Sequence, residues 1–589
     1  MNATVDDLVL GLAGSGGDGV VSAGESLLGA LSAEGYHALM TKSFGPQIRG
    51  GESSCRVRVS TRRVLNPGGE LDVAFALNWE DFFRFGAELP LSVDTVLIHE
   101  EQAGPPPDTL RQRGTVPTQI VSVPLVAITK QAAGTDKAKT SVVLGLISGW
   151  FGIPAESLQR GLRKKFASKG AEVLAANDRA LAAGIAYAEA HPLERPRTLE
   201  RTAAAPGSKM LCDGNDMCAA GALFSGVQFF GGYPITPSTE IMQTLSKEIW
   251  KYGGAVLQAE DEIAGIGAAL GASFAGRKAM TATSGPGMAL KTEILGLASI
   301  AELPLVVVNV QRGGPSTGIP TKPEQADLFQ AAFSAHGDVL RPILAPTCVA
   351  DTFGITVEAF NVAERYQTPV IVLSDQEIAQ RKETFDPIDT SRLVVEERLC
   401  PVGSELEPYL RFRRTATGIS PLSHPGLAGG AYQGAGIEHN EKGEPSSSGV
   451  VHAQMNAKRF DKLAPLLERR DLFEITGDLD APLALVSWGS SAGVAREVLA
   501  LARGRGLSVK LLVPYLVYPV AERVYAEFFA SVRAGLVLEL SHQGQLFRIL
   551  RMYTDVPRGV RSLAQSGANP FRPAEVLERL LAVANGSGS

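Results

Sequence analysis

The 589-residue chain has only five cysteines and no cysteine pair with the spacing of a metal site. The closest two, Cys212 and Cys218, lie six positions apart, and no CxxC pair occurs. An iron–sulfur cluster or a structural zinc needs three or four thiolates, usually at short spacing. We therefore expect isolated, buried thiols and no metal cluster held by this chain alone.

Long apolar runs and positive charge are also scarce. No apolar run reaches the length of a membrane span, and the first residues lack the charged and apolar regions of a secretory signal. The 56 Lys and Arg are outnumbered by 62 Asp and Glu, which gives a formal net charge of −6. A nucleic-acid footprint needs a basic stripe, and none is present. We expect a cytoplasmic protein with no nucleic-acid or membrane partner.

The remaining composition is that of a soluble globular protein with several domains. Hydrophobic residues make up 45% of the chain, and the length exceeds what one core can organise. Short, continuous apolar runs alternate with helical segments, which is typical of α/β domains with parallel sheets. We predict an α/β domain at 1–190, a linker at 191–209, a second α/β domain at 210–389, an irregular connecting segment at 390–478 and a third α/β domain at 479–585.

The first domain contains a glycine-rich turn, Gly14–Gly19, between a strand and a helix. This GxGxxG spacing permits a phosphate to approach a helix N-terminus. A dinucleotide site also needs an acidic residue after the second strand, where this chain has Lys42, Ser43 and Phe44. A structural turn, the approach of another ligand and a non-catalytic dinucleotide-binding or scaffold subunit therefore all stay open.

A polar loop follows the second strand of this domain. Within it, Lys42 and Arg49 could hold a carboxylate or a phosphate, and arginine would do so through a bidentate fork. Spacing alone favours an ordinary solvated loop.

The second domain carries several polar groups directly after apolar runs. Tyr233–Thr236 and Ser284–Gly287 follow two of these runs, and Arg312 follows a third. Glu262 opens a helix composed almost entirely of small residues, which favours tight packing against a neighbour. Because ligands bind beyond the carboxyl ends of parallel strands, we predict that these groups share one pocket. Simple turns and a helix cap would explain each of them singly.

Together these segments resemble the 2-oxoacid:ferredoxin oxidoreductases. GSGGDGV and FGPQIRGGESSCRVRVS resemble the family's γ domain, and YPITPST, EDEIAGIGAALGAS, TSGPG and QRGGPSTGIPT resemble its thiamine-diphosphate pyrimidine domain. IEHNEKG and LELSHQGQL resemble later family segments, so the resemblance covers nearly the whole chain. It is closest to the 2-oxoglutarate type of α subunit with a fused γ domain. The fold implied is α/β, with a Rossmann-like domain, a pyrimidine-type thiamine fold and a transketolase-C-like domain.

The resemblance implies roles for particular residues. Glu262 matches the glutamate that hydrogen-bonds the aminopyrimidine of thiamine diphosphate, and Thr236 and Arg312 match residues that hold the carboxylate of the 2-oxoacid. Arg49 matches a basic residue near the distal end of the substrate, which would suit 2-oxoglutarate. The cofactor-binding residues expected from the motif are Tyr233, Pro234, Ile235 and Glu262, and those expected to bind substrate are Thr236, Arg312, Arg49, Lys42 and Ser43.

The family's Mg²⁺–diphosphate motif is incomplete in this chain. Gly17-Asp18-Gly19 is present, but no asparagine lies between Asn2 and Asn66, where the motif needs one. The resemblance therefore implies a separate β subunit that supplies Mg²⁺, the diphosphate contacts and a [4Fe-4S] cluster, with ferredoxin and coenzyme A as further reactants. A preference for pyruvate or a branched-chain 2-oxoacid, the direction of the reaction, and an αβ or (αβ)₂ assembly stay open.

Overall fold

The computed structural model describes residues 3–45, 51–112 and 115–586. Contacts divide the chain into two units. The first comprises the described residues of Met1–Cys212 together with Arg381–Ile388, and the second comprises those of Asp213–Gln380 together with Asp389–Ser589. Both are built from strands and helices in alternation, so the α/β class predicted from the sequence is confirmed.

The first unit is built on one mixed sheet. Its described strands are β1 (Ala3–Val5), β2 (Asp7–Gly14), β3 (His37–Phe44), β4 (Ser53–Ser60), β5 (Leu71–Ala76), β6 (Leu91–Glu100), β7 (Gln119–Val123), β8 (Arg197–Leu199), β9 (Met210–Asp213) and β16 (Lys382–Phe385). The eight-stranded sheet has the order β7-β6-β5-β2-β4-β3-β16-β9, and β1 pairs with β8 in a separate ribbon. Strands β2, β5, β6 and β7 run parallel, whereas β4 runs antiparallel to both β2 and β3.

Helices cover this sheet and bury the apolar side chains of its strands. They are α1 (Val20–Ala33), α2 (Trp79–Arg84), α3 (Asp108–Gln112), α4 (Leu125–Ala133), α5 (Lys139–Phe151), α6 (Ala155–Phe166) and α7 (Ala171–Ala190). Helices α5 and α7 approach so closely that a Cβ at Gly145 would lie 2.3 Å from the Leu181 carbonyl oxygen. A short 3₁₀ helix, Ala167–Lys169, separates α6 from α7.

One strand of the first unit comes from far along the chain. Strand β16 pairs antiparallel with β3, with Lys382 opposite Met40 and Glu383 opposite Leu39. The Thr384 hydroxyl accepts the Ala38 amide proton at 2.7 Å and donates to the Tyr36 carbonyl oxygen at 2.8 Å. The sequence placed these residues in the 210–389 segment, whereas their hydrogen bonds join them to the first unit.

The second unit contains two sheets. Their strands are β10 (Phe229–Gly232), β11 (Ala255–Gln258), β12 (Ala279–Thr283), β13 (Leu305–Gln311), β14 (Ile343–Leu344), β15 (Pro369–Asp375), β17 (Phe473–Gly477), β18 (Leu483–Ser487), β19 (Val509–Pro514), β20 (Leu516–Tyr518), β21 (Ala534–Glu539) and β22 (Gly559–Ala564). The larger sheet has the order β11-β10-β12-β13-β15-β14-β20, and the smaller has the order β17-β19-β18-β21-β22. All pairs in the larger sheet are parallel except β14 with β20.

Helices lie on both faces of these sheets, as continuous apolar strands require. They are α8 (Gly214–Phe224), α9 (Thr239–Glu248), α10 (Glu262–Phe274), α11 (Gly285–Leu290), α12 (Thr292–Ile300), α13 (Leu328–Phe333), α14 (Val349–Tyr366), α15 (Gln376–Gln380), α16 (Gly449–Asp461), α17 (Ala464–Leu467), α18 (Ser491–Gly504), α19 (Glu522–Phe529), α20 (Gln545–Tyr553) and α21 (Pro573–Ala584). One apolar cluster joins residues of both sheets, so the second unit shares a core.

The segment predicted as irregular is held by a buried group of charges. Between residues 390 and 448 the structure has only two short 3₁₀ helices, and α16 follows. Lys458 and Lys462 donate to the two carboxylate oxygens of Glu302 at 2.6 and 2.8 Å. Arg411 donates to the Glu302 carbonyl oxygen at 2.6 Å. All four residues are buried, so charged groups out of water anchor this segment at Arg411 in the loop and at Lys458 and Lys462 in and after α16.

Candidate active site

Four neighbouring parallel strands of the second unit end at the same edge of the sheet. Strands β11, β10, β12 and β13 are adjacent in that order. The chain leaves β10 at Tyr233, enters α10 at Glu262 after β11, forms the Ser284–Gly287 turn after β12 and reaches Arg312 after β13. The structure therefore brings these sequence-predicted groups to one edge, where open α/β sheets bind their ligands.

Glycines bring helix α10 against strand β10. A Cβ at Gly231 would lie 2.4 Å from the Gly265 carbonyl oxygen, and one at Gly265 would lie 2.9 Å from the Gly232 Cα. Only residues without a side chain allow this approach of helix backbone to strand backbone. The Asp261 carboxylate caps the helix by accepting the Ala264 amide proton at 2.8 Å. These contacts fix the first residue of the helix, Glu262.

Glu262 is a buried carboxylate without a hydrogen-bond donor among the described residues. Its exposed fraction is 8%. Its Oε1 lies 3.0 Å from the position that a Cβ at Gly287 would occupy, so the glycine of the SGPG turn leaves room for it. Lys291, which is fully buried, donates its ammonium proton to the Glu262 main-chain carbonyl oxygen at 2.8 Å. With no donor of its own in the described chain, the carboxylate is available to a ligand that donates to it.

Arg312 connects two of the predicted segments. Its guanidinium donates to the Thr236 carbonyl oxygen, while its buried Nε has no partner among the described residues. Burial lowers the pKa of Arg312, and the nearby Asp327 carboxylate raises it. No described residue hydrogen-bonds the Thr236 hydroxyl. The guanidinium of Arg312, which lines a cavity, and this hydroxyl are thus placed to meet the carboxylate of a ligand.

A cavity of about 780 Å³ opens beside Arg312. Its walls include the Gly285–Pro286 turn, the glycine-rich stretch after Arg312, and residues Ser541–Gln543 that follow strand β21. LELSHQGQL, noted in the sequence, therefore lines the same cavity as the strand ends of the larger sheet. Tyr233, at 41% exposure, is more open than its neighbours.

Asp327 is a residue of this cavity that the sequence analysis missed. Its carboxylate accepts the Asn309 amide proton at 3.0 Å, and its main-chain amide donates to Gln311 at the same distance. Burial raises the pKa of Asp327 to about 6. Both of its partners, Asn309 and Gln311, belong to β13, the strand directly before Arg312. The sequence does not show that Asp327 returns to this strand and packs against it.

The remaining predicted site residues belong to the first unit. Lys42 and Ser43 lie near the end of strand β3 and are partly buried. Arg49 lies outside the described residues. In the glycine-rich turn, the Asp18 carboxylate accepts the Ser15 amide proton at 2.9 Å and pairs with Lys139 at 2.9 Å. An acidic side chain thus occupies one amide donor of the turn and adds negative charge, which does not favour a phosphate there.

Gly489–Gly493 has the GxSxG spacing of a nucleophile turn, another feature that the sequence analysis missed. The central Ser491 is 2% exposed and donates its hydroxyl proton to Gln325 at 2.6 Å. This serine therefore links two parts of the second unit and is not presented to a substrate.

Comparison with known proteins identifies the family. A family model described as "Pyruvate flavodoxin/ferredoxin oxidoreductase, thiamine diP-bdg" matches residues 220–458, and one described as "Pyruvate ferredoxin/flavodoxin oxidoreductase" matches residues 9–187. The "2-oxoglutarate oxidoreductase subunit KorA" of Mycobacterium tuberculosis is 34% identical over 86% of this chain and 81% of its own length. The chain belongs to the 2-oxoacid:ferredoxin oxidoreductase family.

Two further relatives match almost end to end. The "2-oxoacid:ferredoxin oxidoreductase 2, subunit alpha" of Aeropyrum pernix is 30% identical, and the match covers 98% of each chain. The solved 2-oxoglutarate:ferredoxin oxidoreductase of Magnetococcus marinus, "with 2-oxoglutarate, coenzyme A and succinyl-CoA bound", is 35% identical. It superposes with a TM-score of 0.92 over 98% of this chain and 100% of that chain. The resemblance noted in the sequence is thereby confirmed for the whole length of the chain.

In the described ranges, no three His, Cys, Asp or Glu side chains are grouped so that they could hold a metal ion. Among the helices of the same ranges, none has both the length and the apolar character needed to cross a bilayer.

Proposed function

We propose that this chain is the α subunit of a thiamine-diphosphate-dependent enzyme acting on 2-oxoglutarate. The reaction interconverts 2-oxoglutarate, coenzyme A and oxidised ferredoxin with succinyl-CoA, carbon dioxide and reduced ferredoxin. The family and the 0.92 TM-score to an enzyme with 2-oxoglutarate bound support this activity. The single observation that carries the proposed site is the buried Glu262 carboxylate, which has no donor in the described chain.

Glu262 and its surroundings fit the aminopyrimidine of thiamine diphosphate. The carboxylate requires a donor, and Gly287 leaves space beside it that any side chain would fill. We assign Tyr233, Pro234 and Ile235 to the same ring, since they leave the adjacent strand β10 at this edge. When bound, thiamine diphosphate supplies a thiazolium that accepts the electrons released by decarboxylation. Glu262 holds the aminopyrimidine and exchanges a proton with its ring nitrogen.

The 2-oxoacid end of the substrate is assigned to Arg312 and Thr236. The Arg312 guanidinium, which lines the cavity, donates to the 1-carboxylate, and the Thr236 hydroxyl adds a second donor. The buried setting strengthens both contacts because little water competes for them. Arg49 is assigned to the distal carboxylate of 2-oxoglutarate on the sequence resemblance alone, and Lys42 and Ser43 are assigned to substrate binding in general.

A separate β subunit completes the site in this proposal. The missing asparagine of the GDG motif and the dispersed cysteines support placing Mg²⁺, the diphosphate contacts and the [4Fe-4S] cluster there. Exposed apolar residues around Glu262 support the same view. Ile263 is 50% exposed and Leu290 51%, and a Cβ at Gly267 or Gly271 would meet nothing within 4 Å. Exposed apolar surface of this kind marks a protein interface.

None of the five cysteines, all of which lie in the described ranges, forms a disulfide. Free thiols are usual where the surroundings are reducing, which supports a cytoplasmic location.

Glu262→Gln in the purified αβ complex tests the proposed site. We expect the rate of 2-oxoglutarate-dependent ferredoxin reduction to fall by about 10²–10⁴-fold, the range for loss of a positioned acid or base. Glu260→Gln is the matched control, because Glu260 lies two residues away and is exposed. Near-normal turnover of Glu262→Gln would remove the assignment.

Substrate choice needs a separate experiment. If Arg49 binds the distal carboxylate, Arg49→Ala should raise KM for 2-oxoglutarate and leave pyruvate turnover unchanged. An enzyme for pyruvate or a branched-chain 2-oxoacid should show little response to this substitution.

For the interface, Ile263→Asp should prevent co-purification of the β subunit, whereas Leu479→Asp, at a similarly exposed leucine, should not.

A further inference from the structure

Lys291 links the two segments that surround the Glu262 carboxylate. It lies between helices α11 and α12, and its main-chain amide donates to the carbonyl oxygens of Gly287 and Met288, both at 3.2 Å. Its ammonium reaches across to the main-chain carbonyl oxygen of Glu262 at 2.8 Å. One residue thus joins the turn that leaves room for the Glu262 carboxylate to the first residue of α10.

The burial of Lys291 is not explained by stability. The side chain is 0% exposed, and the Glu262 carbonyl oxygen is its only hydrogen-bond acceptor in the described chain. By contrast, the buried ammonium of Lys462 pairs with the Glu302 carboxylate and also donates to the Gln367 carbonyl oxygen. A buried ammonium without a hydrogen-bonded carboxylate destabilises the fold. Groups that cost stability in this way concentrate at functional sites.

The charges that act on Lys291 come from helix α10. Burial lowers the pKa of Lys291 to about 8, and the Glu262 and Asp261 carboxylates oppose that decrease. Asp261 is engaged in capping the helix, so Glu262 is the charged group with a free side chain. The ammonium and the Glu262 carboxylate are therefore electrostatically linked, although no hydrogen bond joins them.

We propose that Lys291 is a positioning residue. It holds the first turn of α10 and places a positive charge near the Glu262 carboxylate. It touches neither substrate nor cofactor, because it is fully buried. The inference rests on the proposed role of Glu262. Its ammonium hydrogen bond to the main-chain carbonyl oxygen fixes the backbone from which the Glu262 side chain extends.

Lys291→Met and Lys291→Gln in the purified αβ complex test this proposal. Methionine removes both charge and hydrogen bond, whereas glutamine keeps a donor. We expect kcat to fall at least tenfold in Lys291→Met and less in Lys291→Gln, with KM for 2-oxoglutarate changed less than twofold. The Tm of Lys291→Met at pH 7 should be unchanged or higher, because the ammonium is charged below pH 8 and its burial is unfavourable there. A purely structural lysine would lower Tm instead.

The pH profile gives a second readout. Activity of the parent enzyme should decline above pH 8 as Lys291 loses its proton, and this decline should be absent in both variants. Lys462→Met is the matched control, a second fully buried lysine, and should lower Tm while keeping the alkaline decline. If Lys291→Met does not assemble with the β subunit, kcat, Tm and the pH profile are measured on Lys291→Gln and judged by the same criteria.

The outcomes separate this inference from the proposed function. If Glu262→Gln retains activity, the assigned role of Glu262 fails and the role of Lys291 fails with it. If Glu262→Gln is inactive while Lys291→Met turns over within twofold of the parent and keeps the alkaline decline, only the role of Lys291 is overturned.

Discussion

Replacing Glu302 with glutamine should loosen the segment that contains α16 without changing its packing volume. The carboxylate is buried and pairs with Lys458 and Lys462, while Arg411 donates to its main chain. Glutamine keeps one oxygen acceptor and nearly the same shape but removes the only carboxylate that pairs with these cations in the described chain. Breaking a buried ion pair from one side costs about 3–5 kcal/mol, because the remaining charges stay out of water.

This loss can be measured locally by hydrogen exchange. At about 1.4 kcal/mol per decade, ~3–5 kcal/mol corresponds to roughly two to nearly four decades of faster amide exchange in α16. Deuterium uptake by peptides covering residues 449–462, measured by mass spectrometry on the αβ complex, reports it directly. Glu527→Gln is the control, since Glu527 is an exposed carboxylate that pairs with Arg470 and Arg523. Its α16 exchange should match that of the parent.

The pH dependence of this effect has a definite sign. Burial alone would raise the pKa of Glu302, but Lys462, Lys458 and Arg411 hold it well below the ordinary value of 4.5. The stabilisation is therefore complete above pH 4.5 and is lost only as the pH falls toward the folded-state pKa. After correction for intrinsic exchange, acceleration in Glu302→Gln should be smaller at pH 8 than at pH 6. Burial lowers the pKa of Lys462 to about 8, so a Lys462 left without its carboxylate loses its unfavourable charge as the pH rises. Acceleration below tenfold would refute the idea that this ion group fixes the segment.

Three further predictions concern the cavity edge. Gly287→Ala should reduce kcat strongly and lower stability by about 1–3 kcal/mol. The new methyl would lie 2.2 Å from the Thr283 hydroxyl and 2.8 Å from Glu262 Cγ, so these side chains must shift. Steady-state kinetics and thermal melting check this, and unchanged kcat would contradict it. Arg312→Lys should raise KM for 2-oxoglutarate roughly tenfold or more, since lysine lacks the fork that grips a carboxylate; a KM equal to the parent's would remove the assignment. Asp327, with its pKa of about 6, should carry a negative charge near Arg312 above that pH. KM for 2-oxoglutarate should therefore rise from pH 5 to pH 7 in the parent and stay constant in Asp327→Asn. The same pH dependence of KM in both enzymes would exclude Asp327 as its cause.

Much of the secondary structure around the cavity follows from local sequence. The apolar run before Arg312 is long, continuous and bounded by polar turns, so it could be assigned to a buried parallel strand. Asp261 and the small residues after Glu262 likewise indicated where a tightly packed helix begins. The positions of Glu262, Thr236 and Arg312 at one edge follow from these elements, and their roles stay predictions.

Other features depend on contacts between distant residues. Strand β16 is four residues long, and its partner β3 lies more than 300 positions earlier, so no local pattern reveals the pairing. Helix α16 follows a stretch rich in Gly, Pro and Ser and is anchored through Lys458, whose partner Glu302 lies in another domain of the prediction. The burial of Lys291 and Asp327 likewise arises from neighbours that the sequence does not identify.

The late strand β16 also limits how this polypeptide can be divided. Cutting after Cys212 would give a fragment that retains β3 but not the backbone that pairs with it, and an open strand edge invites association with other chains. Expression of the first 212 residues alone should therefore yield aggregates or oligomers. A soluble version would need residues 381–388 joined to the fragment through a designed linker, because this unit is formed by two separate segments of the chain.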